Sequence, residues 1–560
     1  MRTHARFLLA LVLLASGAPA APTEFVVSAP PWGALEAVVP ASVTAPSVAT
    51  YGVAAWHAAG LTGAGVKVGV IDGGFRGIVA LMGSELPATV HARCRTGNGT
   101  HTDAISACDT GSVHGTAAAE LIVDMAPAVE LYVATWSSPA DAVETVNWMV
   151  ANGVRIISAS FTSGWLFDGP GDGTSGRASS FYDAVNAAAA GGILWVNSAG
   201  NAGDESWTGA WSDDDVDGLL DFADGDEENT LTLAAGQPLR VAMRWADPWG
   251  ASSNDHDLYL VQGADVIASS TDRQAGAGDP YESLSVTAPR AGAYGIRVVS
   301  HGAAPNRRID LMVVSDGRPI ALQFHVAGGS LPSPADSAST SMITVGAVAA
   351  GPSFASQPYS STGPTLDGRA KPELLAVDCL PTVSYRAAFC GTSASAPTVA
   401  GGAALALQAN PALSAAALAA DLRSRALPIG ATSTTDPLGQ RVFRLGATPT
   451  STVAPRQVVS LRSSVASASV GRGTTVRFSA TVGPTRVGQP PATVAFVVYR
   501  RVGTAWIHYR TAAVVASPAG LAVLKWTFGS RGSWYVRAQA LRTTSSGASP
   551  WSELVRFVVQ

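Results

Sequence analysis

The chain has 560 residues, 47% of them hydrophobic and only 14% charged, with 58 glycines. That length points to several domains, and that apolar content excludes a largely disordered protein. The net charge of −5 is unevenly spread: residues 451–560 carry 13 Lys/Arg against one acid, Glu553, an excess of +12 that leaves about −17 for the remainder.

The first twenty residues read as an export signal. Arg2 and Arg6 form a basic start, Phe7 to Ala15 an apolar run, and Ala18-Pro19-Ala20 a small-residue cleavage site. The run is too short to span a bilayer, and no later stretch is long and apolar enough to do so, so no transmembrane segment is expected. Residues 21–48 form a short pro-segment or linker. Export places the four cysteines in an oxidising compartment, where bridges are favoured over metal binding or thiol chemistry. Four cysteines allow three pairings. The local pairing, Cys94–Cys108 with Cys379–Cys390, is preferred, and each bridge closes a small loop, worth on the order of 3 kcal/mol in the chain-entropy model.

From Val66 to about Gly203 strand and helix signals alternate. Val66–Ile71 is a short apolar run, Asp141–Ala151 has helical spacing with Gly153 as a stop, and Val154–Ile157 is a strand. Phe181–Ala190 repeats the helical pattern, and Ile193–Val196 follows as a strand. Such alternation predicts an α/β fold with a parallel central sheet and helices on both faces, whose chemistry sits at the carboxyl ends of the strands. Asp72 and Asn201 both fall there.

At Trp207 the character changes. Residues 207–328 hold short β-type runs (Leu239–Trp245, Asp257–Val261, Tyr294–Val299) and 18 acids against 8 arginines, which predicts an inserted acidic β-rich domain. Its most distinctive stretch is Asp213-x-Asp215-x-Asp217-Gly218, with Asp221 and Asp224 beyond. Oxygen ligands on alternate residues around a glycine bend are what a Ca²⁺ loop requires, so these five aspartates are the metal candidates; a solvated acidic loop is the alternative. The α/β pattern resumes at Met342–Val348 and at a helix over Ala394–Gln408. A linker at 447–457 leads to a basic all-β block at 458–560, with strands at Thr475–Thr481, Thr493–Tyr499, Leu521–Phe528 and Ser533–Ala540, the spacing of an Ig-like β-sandwich.

Three strings carry the chemistry: Val70-Ile71-Asp72-Gly73-Gly74, His114-Gly115-Thr116 and Gly391-Thr392-Ser393-Ala394-Ser395-Ala396-Pro397. A serine hydroxyl needs a neutral imidazole to take its proton and a carboxylate to hold that imidazole in the right tautomer. Asp72, His114 and Ser393 supply these in one of the known triad orders. Ser393 is expected just before a helix, with Pro397 in the first turn, so that the helix N-terminus faces the developing oxyanion.

At these residues the chain resembles the subtilisin-like serine proteases, the subtilases. The stretch Gly391 to Gly401 is close to that family's serine signature. Ala199-Gly200-Asn201 resembles its oxyanion-hole segment, and Ser361-Thr362-Gly363-Pro364 with Asp367 to Glu373 resembles segments that precede the serine. Ser160, Phe161 and Thr162 fall where the family has its substrate-pairing edge and one wall of the P1 pocket. The resemblance covers about 49–206 and 329–446 and implies a three-layer catalytic domain interrupted by the insertion. Ala394, Thr398 and Ser158 depart from the residues usual there, and residues 21–48 are too few for the family's usual folding-assistant propeptide. The insertion resembles β-sandwich modules of secreted subtilases at Asn254 to Leu260 and at Ala291 to Tyr294. The resemblance implies a secreted serine endopeptidase acting on proteins or peptides, with Asn201 as oxyanion donor. No cofactor is required for the chemistry, and any Ca²⁺ is structural. The basic C-terminal block suits an anionic cell-surface polymer, and no motif accompanies its charge that would favour nucleic acid. A non-catalytic surface-binding protein on the same scaffold, or an esterase with the same triad, are the rival readings.

Overall fold

The computed structural model describes residues 47–223, 225–302, 307–315, 320–386, 388–429, 440–448, 458–464, 469–483, 492–503, 505–517, 520–541, 552 and 554–560. The export signal, nearly all of the 21–48 segment, most of the 447–457 linker and Asp224 lie outside the described residues.

The central element is a ten-stranded sheet. Its order is Leu427–Ile429, Gln440–Val442, Leu374–Val377, Met342–Val348, Leu194–Ser198, Ile156–Ala159, Lys67–Ile71, Glu130–Ala134, Val90–Arg95 and His101–Thr102. Every inner pairing is parallel and the two outermost are antiparallel. Strand alternation sorts side chains into two cores. Val68, Val70, Leu131, Val133 and Val196 face helices His114–Met125, Thr392–Ala409 and Ala415–Arg425. Ile71, Tyr132, Ile157 and Trp195 face helices Pro139–Ala151 and Phe181–Ala190. Covered on both faces, these strands read as continuous apolar runs. The two back helices start on sequence signals: the Ser138 side chain accepts from Asp141 N–H ahead of Pro139, and Ser180 with Asp183 forms a capping box.

Two expected boundaries move. The strand expected at Val154–Ile157 runs over Ile156–Ala159, which carries its end directly into Ser160. The helix expected from Ala394 starts at Thr392, so Ser393 lies inside its first turn and Pro397 lies in the helix interior. Proline lacks the N–H that would bond the carbonyl four residues back, here Ser393's. That carbonyl accepts the Ser160 hydroxyl instead, at 3.4 Å.

Within 206–314 two four-stranded antiparallel sheets face each other across a core containing Trp207, Trp245, Leu258 and Tyr294. One sheet is Asp265–Ser270, His256–Gln262, Gly292–Ser300 and Asn229–Leu233; the other is Tyr281–Thr287, Pro238–Trp245, Arg308–Val314 and Ser206–Ala210. This unit grips the segment that follows Ser160–Thr162. Arg244, 2% exposed, places Nε 3.1 Å from Asp310 and Nη1 3.6 Å from Asp336 of the central fold. Its Nη1 also donates to the Gly169 carbonyl, and the guanidinium lies 4.4 Å over the Phe167 ring. Tyr281 donates its hydroxyl to the Trp165 carbonyl at 2.7 Å, and Arg177 stacks on Trp165 and Tyr281.

Residues 458–560 add a three-stranded sheet (Val458–Ser463, Thr475–Gly483, Leu521–Thr527) and a five-stranded sheet. The latter runs Ser469–Val470, Val555–Val559, Gly532–Ala540, Thr493–Val502, Ala505–Val515. Their shared core holds Phe478, Phe496, Trp534 and Phe557. Among the described residues no helix is long and apolar enough to cross a membrane.

Candidate functional site

Strand ends and helix starts converge at one edge of the sheet. Asp72 follows Lys67–Ile71 and is buried, and its Oδ2 lies 2.6 Å from His114 Nδ1. His114 opens its helix, and Gly115 behind it lets that helix approach: a Cβ there would sit 2.7 Å from both Asp72 Cβ and the Gly74 carbonyl. Burial pushes the imidazole pKa down, but the Asp72 charge and hydrogen bond push it up further, so it stands above its usual 6.5. The ring packs edge-on against Phe389 at 5.2 Å, and Phe389 stacks on Tyr385. Burial and the Asp72 charge push the Tyr385 hydroxyl up to about 12, so it stays neutral beside the pair.

Ser393 is half-buried, one residue into its helix. Gly391 caps that helix at φ +94°, a backbone only glycine adopts freely, and a Cβ there would press on Asn201 Nδ2 at 2.8 Å. Asn201 follows strand Leu194–Ser198, and its Oδ1 accepts from both the backbone N–H and the hydroxyl of Thr392, each at 3.0 Å. With its oxygen so occupied, the amide nitrogen is left to donate to a third group. The Ser393 N–H, in the first helical turn, has no intrahelical acceptor. Among the described residues Ser393 Oγ has no hydrogen-bond partner; such bonds often tighten only with substrate in place.

Ser160 contacts the Ser393 carbonyl as described, while Phe161 packs with Trp136, Phe181 and Trp195. Thr162 is half-buried beside them. Both disulfides are formed, Cys94–Cys108 and Cys379–Cys390, the second on the loop leading into Ser393.

Three supporting residues went unnoticed in the sequence. Thr392 fixes Asn201, and its place beside Ser393 was the available signal. Glu120, buried on the His114 helix, accepts from the N–H groups of Val383 (2.6 Å) and Ser384 (3.1 Å), joining that helix to the serine's approach loop. A lone acid in the apolar run Ala117 to Ile122 was its signal. Asp378 accepts the Gly391 N–H at 2.8 Å and the hydroxyl of Tyr359, and nothing in the local sequence marked it.

The acidic loop is only partly assembled as expected. Carboxylate oxygens of Asp213, Asp215 and Asp217 lie within 4.8 Å of one another, and Gly218 turns at φ +90°. Asp221 is not in that group; its Oδ2 accepts the Asp214 N–H at 2.7 Å. Asp224 lies outside the described residues. Burial and the charges of Asp217, Asp215 and Asp221 raise the Glu227 carboxyl, which marks it as a further neighbour.

The family model described as the subtilase family matches residues 63–237 and 242–448, well over half of the chain. The chain belongs to the subtilase family. It is a serine-type endopeptidase, and catalysis in this family needs no cofactor. No curated protein matches the sequence. Among solved structures it is similar to a cold-adapted subtilisin-like serine proteinase (15% identity, covering 69% of this chain and 91% of that one, TM-score 0.33). It is also similar to MycP1 from the ESX-1 type VII secretion system (18%, 72% and 84%, TM-score 0.34). A protease from Pseudoalteromonas arctica is similar at 15% identity, with coverage of 72% and 92% and a TM-score of 0.35. The match between family and fold lies in the parallel sheet and its helices.

Proposed function

We propose that this subtilase is a secreted endopeptidase whose nucleophile is Ser393, with His114 as general base and acid, Asp72 as its orienting carboxylate, and Asn201 as oxyanion donor. The observation that carries the reading is the 2.6 Å contact between His114 Nδ1 and Asp72 Oδ2. It sets the tautomer in which Nε2 is free to take the serine proton. Ser393 Oγ attacks the peptide carbonyl, and the proton passes to Nε2 and then to the leaving amine. The Asn201 amide and the Ser393 N–H receive the oxyanion at a helix start, where partial positive charge already resides. Ser160, Phe161 and Thr162 form the substrate-pairing edge and one wall of the P1 pocket. The units 49–206 with 329–446, 207–328 and 458–560 act as catalytic domain, insertion and basic tail. The tail meets an anionic polymer at the cell surface.

The test is labelling of the mature protein by a fluorophosphonate, with Ser393→Ala as control. Labelling that survives the substitution sinks the assignment; casein hydrolysis is expected to fall about 10⁶-fold. Because the folded His114 pKa is raised, activity should climb with pH through a limb above 6.5. Asp72→Asn removes the charge that raises the imidazole, so the limb should move down while turnover drops about 10⁴-fold.

The Asp213–Asp215–Asp217 group is proposed as a structural Ca²⁺ loop: three hard oxygen ligands at a glycine bend suit that ion. Its removal should lower the melting temperature and leave turnover of the folded enzyme unchanged. An identical melt with EGTA and with excess Ca²⁺ would refute it.

A further inference from the structure

The five-stranded sheet near the C-terminus carries an organised surface that proteolysis does not use. In strand Thr493–Val502 the alternation sends Phe496 and Val498 into the core. Tyr499 and Arg501 therefore face the other way. Cross-strand register sets Tyr499 between Tyr535 and His508, and Arg501 opposite Trp506. The rings touch in series: Tyr499 stacks on Tyr535 at 4.5 Å, and Trp506 meets Tyr535 edge-on at 4.7 Å. Arg537 lies over Tyr499 and donates to its hydroxyl at 2.8 Å. Arg556 pairs across from Tyr535, and both Arg501 and Arg556 are exposed. Trp506, 36% exposed, lies on the edge strand Ala505–Val515.

This pattern is not what a soluble face needs. An outward sheet surface would be satisfied by threonines and mixed charges. Here three aromatic rings and three arginines share one side, and the only acid in the last 110 residues is Glu553. Tyr499 and Tyr535 stack face to face, so each covers a face of the other, and Trp506 is the most exposed of the three rings, on a sheet face rather than in a groove. Single-stranded nucleic acid is bound differently, by grooves that track the backbone with rings that receive successive bases.

We propose that this face binds an acidic polysaccharide, the exposed Trp506 ring lying against the C–H face of a pyranose unit and Arg501 and Arg556 pairing with carboxylates or sulfates, while Arg537 holds Tyr499 in place. Arginine's planar fork suits such bidentate acceptors, and an aromatic ring offers an apolar body with little conformational freedom to lose. The inference rests on the reading that the basic tail meets an anionic polymer, and it adds where and by what chemistry. It is independent of the triad.

The experiment is affinity electrophoresis of the full chain, inactivated by Ser393→Ala, through gels containing polygalacturonate, polyphosphate, dextran or single-stranded DNA. Retardation by polygalacturonate should exceed that by dextran at least tenfold. Trp506→Ala should weaken it about tenfold without changing the melting curve. Arg501→Ala with Arg556→Ala, both exposed positions, should weaken it further and flatten its salt dependence. If polygalacturonate and polyphosphate retard the chain equally and Trp506→Ala changes nothing, the tail is a polyanion binder but this platform is wrong. If neither polymer retards it, both readings fail. Tighter binding to single-stranded DNA than to polygalacturonate also overturns the proposal.

Discussion

Among the described residues the inserted and the C-terminal sandwich each contain eight strands in two sheets, yet they treat their arginines in opposite ways. The insertion, acidic overall, buries Arg244 between Asp310 and Asp336, the second of which belongs to the central fold. The C-terminal unit, almost without acids, leaves Arg501 and Arg556 in solvent on an aromatic face. A buried guanidinium with two carboxylates fixes one position of one body against another, since any shift strands charge in a low-dielectric interior. An exposed one constrains little and remains available to a ligand. Composition alone would have sorted these sandwiches only by sign; burial sorts them by job.

Three measurements probe the contrast, in decreasing order of effect. Arg244→Met leaves buried Asp336 without its cation and Asp310 with Arg308 alone, and a loss of about 3–5 kcal/mol in unfolding free energy is expected by urea denaturation. A loss under about 1 kcal/mol would mean the insertion is not fixed by this pair. The second measurement is a melting curve against pH. Burial raises the Glu205 carboxyl to about 8 and the Glu282 carboxyl to about 7, while the unfolded chain has both near 4.5. The unfolded state releases these protons first as pH rises, so stability is greatest below pH 4.5 for these groups and declines as pH climbs to about 8. Calorimetry of the full chain should show that decline in the transition of the central fold and the insertion, which hold Glu205 and Glu282, and the C-terminal transition should vary far less because Glu553 is the one acid in that part of the sequence. Equal slopes would erase the distinction. Smallest is the pair Tyr281→Phe and Arg556→Ala. The first loses the hydroxyl bond to Trp165 and should cost about 1 kcal/mol. The second should stay within about 0.5 kcal/mol, as exposed substitutions do.

Much of the site could be read in the sequence because its parts are local. The strings around Asp72, His114 and Ser393 each describe one strand end or helix start, and periodicity placed those elements to within two residues. What escaped detection depends on distant partners. Asn201 is visible as a motif, but its orientation by Thr392 spans 191 residues. Glu120 looks like a stray acid until the loop at 383–384 closes on it. In the acidic loop the spacing singles out Asp213, Asp215, Asp217 and Asp221 alike, and the fold brings together the carboxylates of the first three while Asp221 turns to the Asp214 N–H. In the C-terminal block the strand Ala505–Val515 carries no sequence signal: it is an edge strand whose side chains are mostly exposed, so it lacks the alternation that marks half-buried strands.

The bond from Ser160 to the Ser393 carbonyl joins residues 233 apart, with the whole insertion between them. Such pairings close late, because long loops must be ordered before they reward the chain. A ribosome delivers Asp72 and His114 early and the serine only after the insertion has emerged. With Ser393 as the proposed nucleophile, cutting power arrives only after the insertion has been made and the segments on either side of it have met, an order that spares the earlier part of the growing chain from its own activity.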